Sequence, residues 1–410
     1  MRRPSKNLAP ALIAAFVGLT GCDAPSGAQA DGEPIVLLAE DVHVLGSSES
    51  IAHVEDLQVL PDGEVWVLNS LEPLFVGFDR EGNVLHEYGS RGGGPEEFRL
   101  PAGFVEGAGD GEAWVLDARR HALLRISEPD APWTEMTLPR DAFPPGSLMS
   151  GRGFLSSRMA VARLGGEIVV PRSSGSMESG MFAFSSSIWG ADLLAVDPTA
   201  ASARPVVALG QVLGDPGEAF SSMAEPPPML LWFRLWGVCS NRDVRVYDRL
   251  RHEVRRFGAD GTEGVATPLP PSGVDTVTPD QFARAIFSLR EAEVTGSVGR
   301  QLTRADSTRL LNDIIAEAPW EPDQLAAVLP RYVDLKCTDD GVVWMRPFDP
   351  EVGGLSGGPT WIRIGPDDGV QEVVLPERFD AYRFTTDRIW GVQRDELDVA
   401  TVAWITIPPR

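Results

Sequence analysis

The chain has 410 residues, with 59 Asp and Glu against 36 Lys and Arg, and its formal net charge at pH 7 is −23. Hydrophobic residues make up 43% of the chain, which is enough for a sizeable core and excludes a wholly disordered protein. The acidic balance argues against a nucleic-acid-binding protein, because contact with phosphates requires a basic surface.

The first 22 residues have the pattern of an export signal. A basic start (MRRPSK) precedes an apolar stretch at 8–19, which is shorter than the about 20 residues that span a bilayer. This combination is typical of a secretory signal peptide. The motif LTGC at 19–22 resembles a bacterial lipobox, in which the cysteine is lipidated and becomes the first mature residue. We therefore expect residues 1–21 to be a lipoprotein signal peptide and Cys22 to carry the lipid; the alternative is ordinary signal cleavage beside an incidental cysteine.

Residues 22–34 are predicted to form a flexible tether, because the segment is small, polar and rich in Gly and Pro. Loss of the signal peptide would remove its three basic residues and change the formal charge from −23 to about −26. No second apolar run of membrane length follows. We expect an exported protein, attached through its N-terminal lipid to a bacterial membrane on the periplasmic side or at the cell surface. Which membrane is left open.

Six segments of the remaining chain share one plan, in which an apolar run, a tight turn and a second apolar run follow one another. They span 54–69, 104–117, 159–172, 235–248, 333–346 and 380–393. A third apolar stretch follows each segment, and in the first five copies a further turn leads to a fourth. Glycine in turns such as PDG at 61–63 supplies the positive φ that a direct strand reversal needs.

Four antiparallel strands repeated six times predict an all-β fold, a six-bladed β-propeller over residues 35–410. The sixth copy ends at Pro408 without a fourth strand, whereas 35–45 (IVLLAEDVHVL) is predicted to be a strand with no blade of its own. We expect this N-terminal strand to complete the last blade and close the ring, which leaves no open sheet edge.

The second copy and the segment before it (87–126) contain the patterns GGGPEEF and GEAWVLD. This segment resembles an NHL-type repeat, and the chain is similar to the six-bladed β-propeller lipoproteins of bacteria. The resemblance covers roughly 50–130 and 333–407 and is weak in the middle. Beyond the fold, it implies kinship with a wider NHL and gluconolactonase-like group that includes hydrolases and lyases with a divalent metal in the central channel.

Strand direction alternates within a blade, so the turns between second and third strands and the crossings between blades share one face, here called the long-loop face. All long insertions fall on it, namely 139–157, 172–189, 210–232, 268–331 and 347–359. Loops on a rigid scaffold often carry function, which makes this face the expected binding site. The alternative is that the fold merely tolerates these insertions.

The insertion at 268–331, between the fourth and fifth copies, is predicted to contain three helices. The sequence TPDQ at 278–281 fits a capping box with proline at the first helical position. Phe282, Ile286 and Leu289 then form one apolar face. Further helices are predicted around 305–317 and from near Pro322. Together they would cap one sector of the ring, and the sequence leaves open whether the cap gates a pocket or only covers apolar surface.

The ends of the second strands reach the long-loop face close to the central channel, and their side chains are mostly polar. The candidate ligand-binding residues are Asn69, Asp117, Arg172, Asp248, Arg346 and Gln393 at these ends, with Arg91, Arg120, His121 and Arg394 nearby. Guanidinium groups suit bidentate binding of carboxylate or phosphate, which favours a small anionic molecule or a carbohydrate acid as ligand. Equally consistent is that these residues cap strands and pair with neighbouring acids.

Catalytic signatures are few. The five histidines are scattered without a metal-ligand spacing such as HxH or HExxH. The GLSGG sequence at 354–358 matches a nucleophile elbow in letters only, since it lies between two predicted strands rather than at a strand-to-helix turn. No metal or other cofactor is therefore expected.

These observations favour a monomeric, lipid-anchored, non-catalytic propeller that binds a small anionic ligand or a protein partner. One alternative is a metal-dependent hydrolase or lyase of the gluconolactonase-like type, the only case in which calcium is considered, with Asn69, Asp117 and Asp248 contributing ligands. Another is a structural role in which the helices of 268–331 dock a partner protein.

Three cysteines are an odd number for an exported protein. With Cys22 assigned to the lipid, Cys239 and Cys337 remain, at the same position of the repeat in the first strands of adjacent blades. This placement predicts a disulfide in an oxidising compartment. The alternative is that their Cα atoms lie beyond the roughly 7 Å limit for a bridge.

Overall fold

The structure is a computed structural model. It describes residues 33–51, 54–69, 71–94, 97–106, 111–117, 119–126, 134–138, 161–172, 192–197, 202–208, 236–239, 242–248, 251–270, 276–284, 287, 303–317, 331–351, 358–367 and 369–408. The predicted signal peptide, the lipidation site Cys22 and nearly all of the predicted tether lie outside these residues, as do the insertions 139–157 and 210–232.

The described chain begins with two short strands, β1 (Ile35–Val36) and β2 (Val42–Gly46), separated by a 3-10 turn at Ala39–Asp41. The prediction of one continuous strand over 35–45 is therefore wrong, because the segment is divided into two strands. The break has a local cause, because the Asp41 carboxylate accepts the backbone N–H of Leu38 at 2.7 Å and closes the turn.

Six blades of four antiparallel strands make up the body of the fold, and one of them is extended by a fifth strand. Blade 1 has β3 (Val54–Val59), β4 (Val65–Asn69), β5 (Phe75–Phe78) and β6 (Val84–Tyr88). The two-residue strands β7 (Ser90–Arg91) and β8 (Glu97–Phe98) precede blade 2, which has β9 (Pro101–Phe104), β10 (Ala113–Asp117), β11 (Ala122–Ile126) and β12 (Glu135–Thr137). Blade 3 has β13 (Ala162–Leu164), β14 (Glu167–Arg172), β15 (Asp192–Asp197) and β16 (Ser202–Ala208).

The second half of the ring repeats this order. Blade 4 has β17 (Trp236–Cys239), β18 (Asp243–Asp248), β19 (Glu253–Gly258) and β20 (Thr267–Pro268). Blade 5 has β21 (Tyr332–Cys337), β22 (Val343–Pro347), β23 (Thr360–Ile364) and β24 (Val370–Val374). Blade 6 takes only three strands from the end of the chain, β25 (Phe379–Phe384), β26 (Arg388–Arg394) and β27 (Ala400–Thr406).

The N-terminal segment closes the ring. Strand β2 is the fourth strand of blade 6 and runs antiparallel to β27, with His43 opposite Trp404. This confirms the predicted closure of the last blade. Strand β1 has a second role that was not foreseen, because it adds a fifth, parallel strand to blade 5, with Ile35 opposite Val373. The same short segment therefore joins blades 5 and 6.

The hydrophobic core lies between neighbouring blades. Leu68 and Phe75 of blade 1, for example, are fully buried in one cluster with Val115 and Leu124 of blade 2. Because each blade packs against a neighbour on both faces, its inner strands are nearly continuous apolar runs instead of strictly alternating ones.

The insertion at 268–331 begins with the predicted capping box. The Gln281 N–H donates to Thr278 Oγ1 at 3.2 Å, and the Thr278 N–H donates to Gln281 Oε1 at 2.9 Å. Residues 279–284 are helical. The second predicted helix is present as α1 (Arg304–Glu317). Residues 286 and 289 and the helix predicted from Pro322 lie outside the described residues.

The described part of this insertion packs on blades 4 and 5. Phe282 and Ile314 of its helices are buried in the same cluster as Tyr247 of blade 4 and Tyr332 of blade 5. The Tyr332 hydroxyl donates to the Pro270 carbonyl at 3.0 Å. These helices therefore cover apolar surface at the junction of two blades. None of the helices in the described part of the chain combines the length and apolarity that crossing a membrane requires.

A disulfide joins Cys239 of β17 to Cys337 of β21, with Cα atoms 4.9 Å apart. It links blades 4 and 5, which the insertion separates in sequence. Each cysteine is the last residue of the first strand of its blade and lies opposite the first residue of the second strand, Cys239 opposite Asp243 and Cys337 opposite Val343. This agrees with the expectation that the two cysteines occupy the same position of the repeat.

Candidate functional site

The strand-end positions are defined by their register with the innermost strand of each blade. Asn69, Asp117 and Gln393 each lie opposite the first residue of that strand. In blade 5 the equivalent position is held by Pro347, opposite Tyr332. Arg346, which the sequence placed in this set, is one residue earlier and so points to the other side of the sheet. Its assignment to the strand-end set was wrong.

Asp117 is fully buried and holds two segments of backbone in place. Its Oδ2 accepts the N–H of Arg99 at 2.7 Å, and its Oδ1 accepts the N–H of Leu100 at 3.1 Å, both in the crossing from blade 1. Oδ1 also accepts the N–H groups of Arg119 and Arg120, at 3.2 and 3.1 Å, in the turn that follows. A carboxylate used in this way caps a strand.

Arg120 and Arg91 belong to the same crossing. The Arg120 guanidinium donates to the carbonyls of Gly94 and Glu97 at 2.8 and 2.9 Å, and it pairs with Glu135 at 3.4 Å. Arg91 is exposed, and its N–H donates to Glu72 Oε1 at 2.7 Å. His121, the next residue after Arg120, has φ of 52° and forms the tight turn between β10 and β11.

Asn69 and Asp248 cap their own blades. The Asn69 side-chain amide donates to the carbonyls of Ser50 and Pro73 at 3.0 and 3.1 Å. Asp248 accepts the N–H of Arg251 at 3.1 Å and pairs with the Arg255 guanidinium at 3.5 Å. Both side chains are buried.

The remaining candidates lie in blades 5 and 6. The Gln393 amide donates to the Arg394 carbonyl at 3.0 Å, and the Arg394 guanidinium lies 3.6 Å from both Asp380 and Asp398. The Arg346 Nε donates to the Gly358 carbonyl at 2.8 Å. Burial lowers the pKa of Arg346, while the carboxylates of Asp334 and Asp380 oppose that shift.

Arg172 is the last residue of β14 in blade 3, and its backbone lies opposite that of Asp192 in β15. Its side chain lies outside what the structure describes. The nine candidates whose side chains the structure describes have their contacts in separate groups. The structure brings Asp117, Arg120, His121 and Arg91 together at the crossing between blades 1 and 2, and it places Gln393 beside Arg394 in blade 6. Asn69 lies beside the first group, since its amide donates to the Pro73 carbonyl next to Glu72, the acceptor of the Arg91 N–H, whereas the contacts of Asp248 lie within blade 4.

The central channel contains a network of charged side chains that the sequence analysis missed. Arg383 of blade 6 pairs with Glu106, which follows β9 of blade 2, and with Asp56 of blade 1, the latter at 2.9 Å. Lys336 of blade 5 lies 3.4 Å from Glu106 and 3.9 Å from Asp334. All except Asp334 have side chains no more than 12% exposed, so the network joins four blades with little access to water.

A sequence signal for this network exists. Asp56-Leu57 and Asp334-Leu335 occupy the same repeat position, and in both pairs the aspartate Oδ1 accepts the N–H of the next residue at 2.8 Å.

Tyr382 lies in the inner strand of blade 6, where burial and the nearby Asp380 raise its pKa above the ordinary value of 10.0. Its hydroxyl donates to the Val54 carbonyl at 3.0 Å.

The donor set of the channel does not fit a divalent metal. Asp56 Oδ2 accepts both the Arg383 guanidinium and the Phe104 N–H at 2.7 Å, and Glu106 Oε1 is shared by two cations. Asn69, Asp117 and Asp248, the ligands considered for an enzyme, are capping groups in three different blades. Among the described residues, no three His, Cys, Asp or Glu side chains are placed to share an ion.

No protein-family model matches the chain, and no curated protein matches its sequence. Solved structures of similar fold include a protein from Bacteroides fragilis described as exported, with 10% identity over 90% of this chain and 94% of that chain and a TM-score of 0.48. Regucalcin from Agrobacterium tumefaciens, a calcium-binding protein, has 12% identity over 92% and 97% and a TM-score of 0.42. A gluconolactonase from Xanthomonas campestris has 10% identity over 94% and 99% and a TM-score of 0.40.

With identities of at most 12% and TM-scores below 0.5, these likenesses carry no argument about fold or function. The assignment depends on the six four-stranded blades, on the interleaved core between them and on the N-terminal strand that completes the last blade. By these features the chain is a six-bladed β-propeller.

Proposed function

We propose that this protein is an exported, lipid-anchored propeller that binds a small anionic ligand or a protein partner on its long-loop face and does no chemistry. The observation that carries the proposal is the ion-paired channel. In a propeller enzyme with a metal on its axis, acidic side chains must be free to coordinate the ion. Here the two most buried channel acids, Asp56 and Glu106, are bound to Arg383 from another blade.

The long-loop face supports a binding role in a second way. Its loops rest on a scaffold that is fixed by buried strand-end groups such as Asp117 and Asn69. The described helices of the large insertion are anchored in the core of blades 4 and 5 through Phe282 and Ile314. Loops presented by a rigid framework bind without a large ordering cost.

Metal content tests the non-catalytic part of the proposal. The protein comprising residues 22–410, purified without chelator, is expected to hold far less than one equivalent of calcium, zinc or manganese when measured by plasma mass spectrometry. One tightly held equivalent that disappears in the variant Asp56→Asn would overturn the proposal in favour of the metal-dependent hydrolase or lyase. The variant Asp62→Asn, in an exposed turn of blade 1, is the control.

Fractionation tests the anchor. The unaltered chain is expected in the membrane fraction and to be released only by detergent, because one or more acyl chains on Cys22 hold it there. The variant Cys22→Ser should be found in the unprocessed form or in the soluble fraction. Equal membrane association of the two proteins, with the signal peptide removed from the variant, would contradict a lipid anchor at Cys22 while leaving the metal result unaffected.

A further inference from the structure

We infer that the crossing between blades 1 and 2 is a binding site for a small multivalent oxyanion, built on the guanidinium groups of Arg99 and Arg119. This inference rests on the proposed function, because it names the class of ligand and its place on the long-loop face. Neither arginine belongs to the set that the sequence indicated, which contained their neighbours Arg91 and Arg120.

The first observation is that one buried carboxylate fixes both arginines. Asp117 Oδ2 accepts the Arg99 N–H at 2.7 Å, and Asp117 Oδ1 accepts the Arg119 N–H at 3.2 Å. The two residues come from different segments of the chain, yet their backbone nitrogens are held by the two oxygens of a single group. They therefore emerge next to each other at the end of β10, on the long-loop face.

The second observation is that both side chains are exposed and that no acid among the described residues pairs with either. Within the described part of the chain, neither guanidinium forms an ion pair or a hydrogen bond. Other arginines of blade 2 are paired, such as Arg120 with Glu135 and Arg125 with Glu112. Two arginines that start from neighbouring backbone positions, with no counter-ion among the described residues, are unusual on a chain with a net charge of −23.

The carboxylates of Glu97 and Glu72, the described acids of this crossing, accept backbone N–H groups and do not pair with Arg99 or Arg119. Glu97 Oε2 accepts the Gly94 N–H at 2.7 Å, and Glu72 Oε1 accepts the Arg91 N–H at 2.7 Å. These bonds shape the glycine-rich loop and hold its carboxylates there. The exposed Arg91, which lies opposite Phe98 one residue before Arg99, places a third guanidinium at the edge of the site.

The chemistry of the site follows from these groups. A guanidinium is charged at every physiological pH and binds a carboxylate or phosphate with two parallel hydrogen bonds. Two such groups on a fixed backbone favour a ligand with two or more oxyanions over a neutral sugar. The acidic surface of the rest of the protein repels a long polyanion at distances up to a Debye length of about 8 Å, which favours a small ligand.

Isothermal titration calorimetry on the full mature chain tests the inference, with citrate, inorganic phosphate and trigalacturonate as probes and maltotriose as the uncharged reference. At least one anion should bind saturably, and salt should weaken its binding. The double variant Arg99→Gln/Arg119→Gln should reduce affinity by about tenfold or more, since each charge-assisted contact contributes a substantial part of the binding free energy. The double variant Arg99→Lys/Arg119→Lys should recover only part of it.

The matched control is Arg242→Gln/Arg309→Gln, which removes the same charge from two exposed arginines on blade 4 and on α1 and should leave affinity unchanged. The identity of the anion that binds shows whether the ligand is a carboxylate or a phosphate. If no probe binds, the inference fails, while binding of a protein partner, the other part of the proposed function, is unaffected. If an anion binds both double glutamine variants equally, the location is wrong although the anionic ligand of the proposed function stands.

Discussion

Asp117 is the residue on which the crossing between blades 1 and 2 depends, because its carboxylate accepts four backbone N–H groups while fully buried. The variant Asp117→Ala leaves these donors without an acceptor. A buried unsatisfied group costs about 1–3 kcal/mol, so we expect a clear loss of free energy of unfolding in a urea titration. The control Asp395→Ala removes an exposed turn cap in blade 6 and should cost less. Equal losses would contradict the special role of Asp117.

The buried hydroxyls of Tyr332 and Tyr382 are expected to set the pH above which the folded state loses stability. Burial raises the pKa of both hydroxyls above the ordinary value of 10.0, with Tyr247 and Asp380 respectively adding to the shift. A group whose pKa is raised by folding contributes stability that is complete below its unfolded pKa and is lost as the pH rises above it. We expect stability to fall above pH 10, followed by tyrosinate absorbance at 295 nm and by circular dichroism together. Full tyrosine ionisation near pH 10 in a folded protein would contradict the burial.

At this scale the sequence indicated most strand-end residues, and the alternative it left open, that they cap strands, describes the contacts of Asn69, Asp117 and Asp248. Asn69, Asp117 and Asp248 were recognisable from the repeat, whereas their partners are backbone groups that no side-chain pattern records. The N–H groups that Asp117 accepts come from positions up to 18 residues away. Arg346 was misplaced by one position because Pro347 interrupts the polar pattern at the end of β22.

The disulfide is the element-scale feature with the largest expected effect on stability. It joins residues 98 positions apart in sequence and so restricts the unfolded chain strongly. In the loop-entropy account a closed loop of this size contributes about 4–5 kcal/mol. We expect Cys239→Ser/Cys337→Ser to lower the denaturant midpoint, and reduction of the unaltered protein to have the same effect. Two free thiols in unreduced protein, or an unchanged midpoint, would contradict this.

Elements with strong local signals were predictable from sequence. The Gly and Asp turns marked the hairpins, and the TPDQ motif marked the helix at 279–284. The split of 35–45 into β1 and β2 was not predictable, because it depends on which neighbouring strands accept the segment. Strand β1 has its partner in blade 5 and β2 in blade 6, and only the closed ring brings both within reach.

On the scale of the whole molecule, the ring is held at three places that are distant in sequence. The N-terminal segment joins blades 5 and 6, the disulfide joins blades 4 and 5, and the charged network of the channel joins blades 1, 2, 5 and 6. The repeat made the closure of blade 6 by the N-terminal segment and the disulfide foreseeable, but not the pairing of β1 with blade 5. The network was not predicted, because its members have different residue types in different blades and no single motif repeats.

The central claim is that the channel acids are structural partners of the channel cations, and a double-mutant cycle on Glu106 and Arg383 tests it most directly. Each single change to Gln leaves the other charge buried with one remaining partner, Asp56 for Arg383 or Lys336 for Glu106, so each should destabilise the fold by less than the about 3–5 kcal/mol that an uncompensated buried charge costs. The double variant should be less destabilised than the sum by about 1–3 kcal/mol. The exposed pair Arg80 and Glu81 is the control and should show no measurable coupling. A coupling energy of zero between Glu106 and Arg383, with single variants as stable as the parent, would contradict the account.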